Sequence, residues 1–488
     1  IRTSAGQRSL HLVLTPETEK VQLLASTDLG EQGLVLKYDS SYPADLTKTN
    51  SPASLVIDGG DMTIDLTGSP TGSPLITVGS GVTLTLRNIT LKGLALSSNN
   101  PSDYRVAGED GANNFAPMIL VQNGGKLIME EGVLITENDS SKTGGVHVES
   151  GGMFTMNGGE ISNNASAGNA GGVHVDPGGM FTMYNGAIRN SKSIGDTAGV
   201  SVYGLFIMYD GIITGNTSLQ YSGGVGINGS GQMIMHYGTI SRNRAGTEHG
   251  GGVGLRSGES VFTMHSGTIS NNTAKKNGGG VYVDGGGSFT LNGGNISGNT
   301  AEQNGGGVGV AVGSFSMNFG FIQGNQVSDK NGNGGGVWVG NGTFSMTAGS
   351  INGNGIYSGG ADTDGTGRGC GVYVGNDGTF SKTRGTISGL ATTVIIDGNR
   401  EGQWEETDSQ NYYRKLVHRS DEFGDPSKNV YYDYTDRPDE LKGRGYAVYF
   451  DSDGGSDNFN DDKYCDITAG ADYGLDTTKG TNWNALYP

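Results

Sequence analysis

Cysteine and proline are scarce in this chain of 488 residues: there are 2 Cys and 11 Pro. So little proline excludes collagen, whose triple helix needs Pro or hydroxyproline at about 15–20% in a Gly-X-Y period. Two cysteines exclude a disulfide-framed mini-domain, and no Cys-x-x-Cys or Cys/His zinc spacing occurs. Long apolar runs are missing too. No stretch reaches the roughly 18 residues that a membrane-crossing helix needs, so no membrane span is expected. Positive charge is in short supply. The formal net charge is −18, whereas backbone recognition of nucleic acid needs a basic surface, so no nucleic-acid partner is expected. What the chain has in excess is glycine, at 90 residues.

The glycines are not random. A Gly-rich turn followed by Val-x-Val recurs at Val146, Val173, Val200, Val225, Val253, Val281, Val308, Val337 and Val372, a period of about 27 residues. A Phe-Thr/Ser-Met segment follows in most copies, starting at Phe154, Phe181, Phe206, Met233, Phe262, Phe289, Phe315, Phe344 and Phe380. Then comes Ile-x-x-Asn, as in Ile161/Asn164, Ile213/Asn216 and Ile296/Asn299. Weaker copies lie at Ile76–Leu91 and Ile119–Leu134. Each segment is short and alternates apolar with small or polar residues, which is strand periodicity. Three such strands cannot bury a face alone, but stacked coils can, since each strand then pairs with its counterpart one repeat away. The pattern predicts an all-β parallel β-helix over residues 51–398. At about 4.8 Å per coil, a dozen coils make a rod about 60 Å long.

The Val, Phe, Met and Ile positions are expected to form inward ladders, with methionine as apolar filler. The triple glycines at 278–280, 305–307 and 334–336 are expected at φ > 0 corners. The Asn after each Ile is expected to form a hydrogen-bonded ladder at a turn. Asn-x-Ser/Thr sequences at Asn138, Asn164, Asn216, Asn228, Asn271, Asn295 and Asn341 largely coincide with it, favouring structure over glycan.

The ends depart from the period. Residues 1–50 read as an N-terminal cap closing the first coil. Residues 399–444 read as a charged insertion leaving the rod. It holds Trp404, Tyr412, Tyr413, Tyr431 and Tyr432, and is either a binding surface or the packing of a small lateral subdomain. Residues 445–488 read as a last coil and C-terminal cap, because Val448–Phe450 aligns with Val372–Val374. Cys370 and Cys465 either bridge these regions or remain two thiols. Residue 1 is Ile, which fits a mature secreted product.

The Gly-Gly-Val and Phe-x-x-Asn elements, the latter at Phe154–Asn157, Phe289–Asn292 and Phe315–Asn318, resemble repeats of secreted bacterial right-handed β-helix proteins of the pectin-lyase-like class. They are especially similar to those of chlamydial polymorphic membrane proteins and autotransporter adhesin passengers. Tyr184, His265 and Thr347 replace the Asn in other copies. The resemblance implies an extracellular or cell-surface location, with adhesion or polysaccharide cleavage as the occupation.

Chemistry is hard to find on the repeat. Lyases of this fold resemble one another in placing Asp ligands for Ca²⁺ and a Lys or Arg base on one face, and its hydrolases use paired Asp. The residue between the two valines is expected to face outward, and runs His147, His174, Ser201, Gly226, Gly254, Tyr282, Gly309, Trp338, Tyr373, without a carboxylate. His147 and His174 should be neighbours, but no third ligand is evident, and solvated histidines are expected. Asp176 and His249 read as turn residues. Asp451, Asp453, Asp457 and Asp461 alternate around glycines as in a Ca²⁺ loop, though without the bidentate Glu of an EF-hand. The alternative is a solvated acidic loop. No other cofactor is expected.

The expected function is therefore a non-catalytic extracellular structural or adhesive protein. Trp338, Tyr373 and Tyr449 form an outward stripe in this reading. Partners are other copies, assembled into a filament or array, or a host-surface ligand or glycan. The rival expectation is a polysaccharide lyase or glycoside hydrolase, with residues near Asp362, Asp364, Arg368, Asp397 and Arg400 as its remaining place.

Overall fold

Strands dictated by the repeat dominate the computed structural model, which describes residues 53–65, 74–93, 116–356, 369–375 and 378–389, and beyond them only the backbone of several short strands. No helix occurs among the described residues. Two compact units divide the chain, Ile1–Gly246 and Thr247–Pro488. Both are parallel β-solenoids built from coils of about 27 residues.

In the first unit, Ile76–Val78, Ile119–Val121, Val146–Val148, Val173–Val175, Val200–Val202 and Val225–Ile227 pair in parallel, residue on residue. Leu34–Tyr38 stacks on this ladder, and Leu10–Leu14 stacks on Leu34–Tyr38. The expected cap is thus made of strands that continue the coil direction. In the second unit, Val253–Leu255, Val281–Val283, Val308–Val310, Val337–Val339 and Val372–Val374 form the same ladder. Val448–Phe450 joins it, with Val372 opposite Val448. The strands Trp404–Glu406, Tyr413–His418 and Val430–Tyr434 of the insertion form an antiparallel meander.

The Phe-Thr-Met and Ile segments stack in the same way. A fourth, two-residue strand escapes sequence periodicity. It appears as Ala165–Ser166, Lys192–Ser193 and Thr217–Ser218 in the first unit and as Thr273–Ala274 and Thr300–Ala301 in the second.

Ladder side chains fill the interior. Phe154, Phe181 and Phe206 are buried and stack face to face at 4.7 Å, within 7° of parallel. Phe262, Phe289, Phe315 and Phe344 repeat this at 4.7–4.9 Å. The spacing is simply that of adjacent strands. The Met, Val and Ile ladders are equally buried. Each fully buried side chain contributes roughly 1.5–3 kcal/mol, so the core grows by the same increment with every coil.

Asparagine closes one corner. In the second unit Asn272, Asn299, Asn325 and Asn354 are buried and linked. The backbone N–H of Asn299 donates to Asn325 Oδ1 at 3.0 Å, and its Nδ2 donates to Asn325 Oδ1 and to Ile269 O, each at 2.9 Å. The triple glycines are only partly as expected. Gly278, Gly305 and Gly334 have φ of 65–67°. The glycines that follow are required for a different reason: a Cβ on Gly280 would lie 2.6 Å from the carbonyl oxygen of Gly307, one coil away.

Candidate functional site

Three polar side chains meet on the first unit. His147 and His174 occupy the centres of the paired strands Val146–Val148 and Val173–Val175, directly opposite each other. Their rings lie edge to face, 4.9 Å apart at 67°. Asp176 follows the second strand, two residues after His174, and strand alternation sends both to the same side. Its carboxylate is shared: Oδ2 lies 3.0 Å from His147 Nε2 and Oδ1 lies 3.0 Å from His174 Nε2. Asn169 Nδ2 lies 3.3 Å from the same His174 nitrogen. The Tyr203 ring lies edge to face with that of His174, 5.6 Å away at 64°.

This corrects two sequence expectations. His174 is 3% exposed and is not a solvated ladder histidine. Ser201, Tyr282 and Tyr373, in equivalent places, are buried as well. The cause is the segment before each Val-x-Val strand, which forms bridges of its own, Thr143 to Ala170 to Thr197 in the first unit and Asn277 to Asn304 to Asn333 in the second. It lies over the neighbouring coil: a Cβ on Gly226 would meet Thr197 Oγ1 at 2.1 Å. Asp176, read as a turn residue, is the third member of the cluster.

Electrostatics follow from burial. Desolvation lowers the His174 pKa and outweighs the hydrogen bond to Asp176. Burial also opposes ionisation of Asp176, but the hydrogen bonds from His147 and His174 outweigh it and hold the carboxyl well below its ordinary range. His174 Nδ1 and the hydroxyl of Ser201, its in-register neighbour, are buried without a hydrogen-bond partner. His147, His174 and Asp176 thus offer ligand atoms within 4.8 Å of one another.

The second unit pairs His249 with Tyr282, stacked at 4.2 Å and 9°. Burial lowers the His249 pKa and pushes that of Tyr282 up, with Asp284 adding to the shift. His249 Nδ1 accepts a hydrogen bond from the Asn277 backbone at 3.2 Å. His249 is therefore a packed residue and not a bare turn residue.

The expected aromatic stripe is divided. Trp338 packs against Tyr373, which is 7% exposed and so does not present an open ring. Tyr449 stands opposite Tyr373 in register. Trp404, Tyr413, Tyr431 and Tyr432 lie on the meander, where Tyr431 is opposite Leu416 and Tyr432 opposite Lys415. Tyr412, Asp451, Asp453, Asp457, Asp461 and Cys465 lie outside the described residues, as do Asp362, Asp364, Arg368, Asp397 and Arg400. Cys370 is buried beside Val327 and Ile356.

An aromatic edge that the sequence reading passed over lies on the first unit. Tyr184 and Tyr209 stack at 4.8 Å and 3°, and Tyr209 and His236 at 4.8 Å and 6°. These rings replace the Asn of Phe-x-x-Asn in three successive coils. Tyr184 is 49% exposed, and Ile212 and Tyr237 nearby in sequence are 46% and 62% exposed. Among known proteins, no family model, no curated protein and no solved structure matches this chain.

Proposed function

We propose that this chain is an extracellular structural or adhesive protein of the bacterial surface, akin to the right-handed β-helix adhesins whose repeats it resembles. We take its contact surface to be the aromatic edge of the first unit. The observation carrying this reading is the Tyr184–Tyr209–His236 stack, in which both tyrosines are exposed, together with the exposed Tyr237. Aromatic rings held rigid at coil spacing lose little conformational entropy on binding and supply large contact area. Within the stack, both faces of Tyr209 and one face each of Tyr184 and His236 are covered by neighbouring rings. A sugar stacks on an aromatic face, so this geometry favours a flat protein surface, another copy of the chain foremost.

The test compares the wild type with Tyr184→Ser/Tyr209→Ser/Tyr237→Ser by sedimentation velocity and negative-stain electron microscopy. Concentration-dependent association of the wild type, lost in the triple variant, is expected. A wild type that stays monomeric at tens of micromolar, or a variant that associates equally well, rejects the aromatic edge as the contact.

A further inference from the structure

We infer that His147, His174 and Asp176 form a binding site for one divalent transition-metal ion, Zn²⁺ in the first instance, with a coordination position left open to solvent.

The donor set comes first. Two imidazoles and a carboxylate suit zinc, iron, nickel or copper, while Ca²⁺ and Mg²⁺ call for all-oxygen shells. Geometry comes second. Donor atoms around a tetrahedral zinc at about 2.0–2.2 Å stand about 3.3 Å apart. Here each imidazole Nε2 lies 3.0 Å from a carboxylate oxygen, and all the ligand atoms fall within 4.8 Å. Small side-chain rotations reach the coordinated state. The histidines sit on paired strands at the middle of a stacked ladder and Asp176 directly follows one of them, so the backbone already holds the three together.

The hydrogen-bond pattern supplies the third argument. His174 Nε2 has one in-plane direction but two neighbours, Asp176 Oδ1 at 3.0 Å and Asn169 Nδ2 at 3.3 Å. If the nitrogen carries a proton it donates to the carboxylate and faces the amide N–H donor to donor. If it carries none, its lone pair faces a carboxylate. A cation between His174 Nε2 and Asp176 satisfies both acceptors at once.

Accessibility decides the open position. The side chains of His147 and Asp176 are 18% and 32% exposed, against 4% for His174. The ion therefore enters from the Asp176 side, where water or a ligand donor completes the shell. Three protein ligands plus an open position distinguish this site from a closed structural zinc.

The site is independent of the aromatic contact surface, and its test is independent of association. The full chain, stripped with chelator, is titrated with Zn²⁺ by calorimetry beside His147→Gln and Asp176→Asn. Both replaced residues reach solvent, and circular dichroism establishes that the variants are folded. One ion per wild-type chain is expected, at least tenfold weaker in each variant. Co²⁺ loading should give a ligand-field absorption band, and X-ray absorption should show imidazole nitrogen, both weaker in the variants at the metal concentration that saturates the wild type. Equal affinity in folded variants places the ion elsewhere and overturns the assignment, as does the lack of saturable binding by the wild type. A variant that fails to fold is replaced by Asp176→Glu, which keeps the carboxylate but moves it. Unchanged Co²⁺ spectra in that variant also overturn the assignment.

Discussion

Asn299 shows how much one side chain can hold. It is fully buried. Its Oδ1 accepts from the backbone N–H and the Nδ2 of Asn272, each at 2.9 Å, and its Nδ2 donates to Ile269 O and to Asn325 Oδ1. Replacing it with Ala takes a buried partner from the Asn272 backbone N–H, from the Asn272 amide and from Ile269 O, while Asn325 Oδ1 keeps only the Asn299 backbone N–H. At about 1–3 kcal/mol for each such group, Asn299→Ala is expected to lose at least about 3 kcal/mol in urea unfolding. A loss below 1 kcal/mol would mean that water replaces the amide. Burial also bears on glycan attachment. Asn138, Asn164 and Asn216 stand in Asn-x-Ser sequences but are buried, so the folded chain withholds them from modification.

The ladder asparagines were legible in the sequence because each recurs three residues after an Ile, where a turn must end. The metal-site residues were only half legible. His147 and His174 declare themselves by their place between two valines. Asp176 did not, because it falls just after the strand. Yet the spacing His174-Val175-Asp176 already puts two side chains on one side of a strand, and the period brings His147 alongside. Burial of His174 was not legible. A period of two says only that alternate residues leave the core, and the segment that bridges Thr143, Ala170 and Thr197 carries no apolar pattern to betray that it lies over its neighbour. For the aromatic edge a signal existed: Tyr184, Tyr209 and His236 break the Phe-x-x-Asn pattern in consecutive coils.

At the scale of the element, a coil is a strand-turn unit repeated at strand spacing, and glycine makes that spacing possible. Two glycines of the second unit separate the reasons. Gly280 has a backbone any residue adopts, but a Cβ there would lie 2.6 Å from Gly307 O and 2.9 Å from Ile296 Cγ2. Gly324 has φ of 62° and no atom within 4 Å of the place a Cβ would take. The equivalent turn position in the first unit is held by Asn163, Asn190 and Arg242, all at positive φ. Gly280→Ala is therefore expected to push two coils apart and cost at least the roughly 1–3 kcal/mol of an overpacked site. Gly324→Asn should stay within about 0.5 kcal/mol of wild type, like an ordinary surface change. Chemical denaturation of the two variants checks the pair. Equal losses would show that steric approach between coils is not what the triple glycine serves. The two-residue strands at this scale were invisible to periodicity, because two residues define no period; the corner Asn before them was the better marker.

At the scale of the whole molecule, charge and contact surface oppose each other. The formal net charge is −18, so two copies repel at long range, while the exposed Tyr184–Tyr209 edge attracts only on contact. Salt separates the two effects. At about 0.01 M ionic strength the Debye length is about 30 Å and repulsion acts across the approach; near 1 M it is about 3 Å and repulsion is confined to touching charges. Burial of aromatic surface is not weakened by this screening. Association through the aromatic edge should therefore strengthen as salt rises from about 0.02 to 0.5 M, with the weight-average sedimentation coefficient increasing at fixed protein concentration. The triple Tyr→Ser variant should remain at the monomer value throughout. The opposite trend, association at low salt that dissolves as salt is added, would mean that complementary charges draw the copies together. The contact would then belong to oppositely charged patches, and the stacked rings would serve only to stiffen the edge of the coils they sit on.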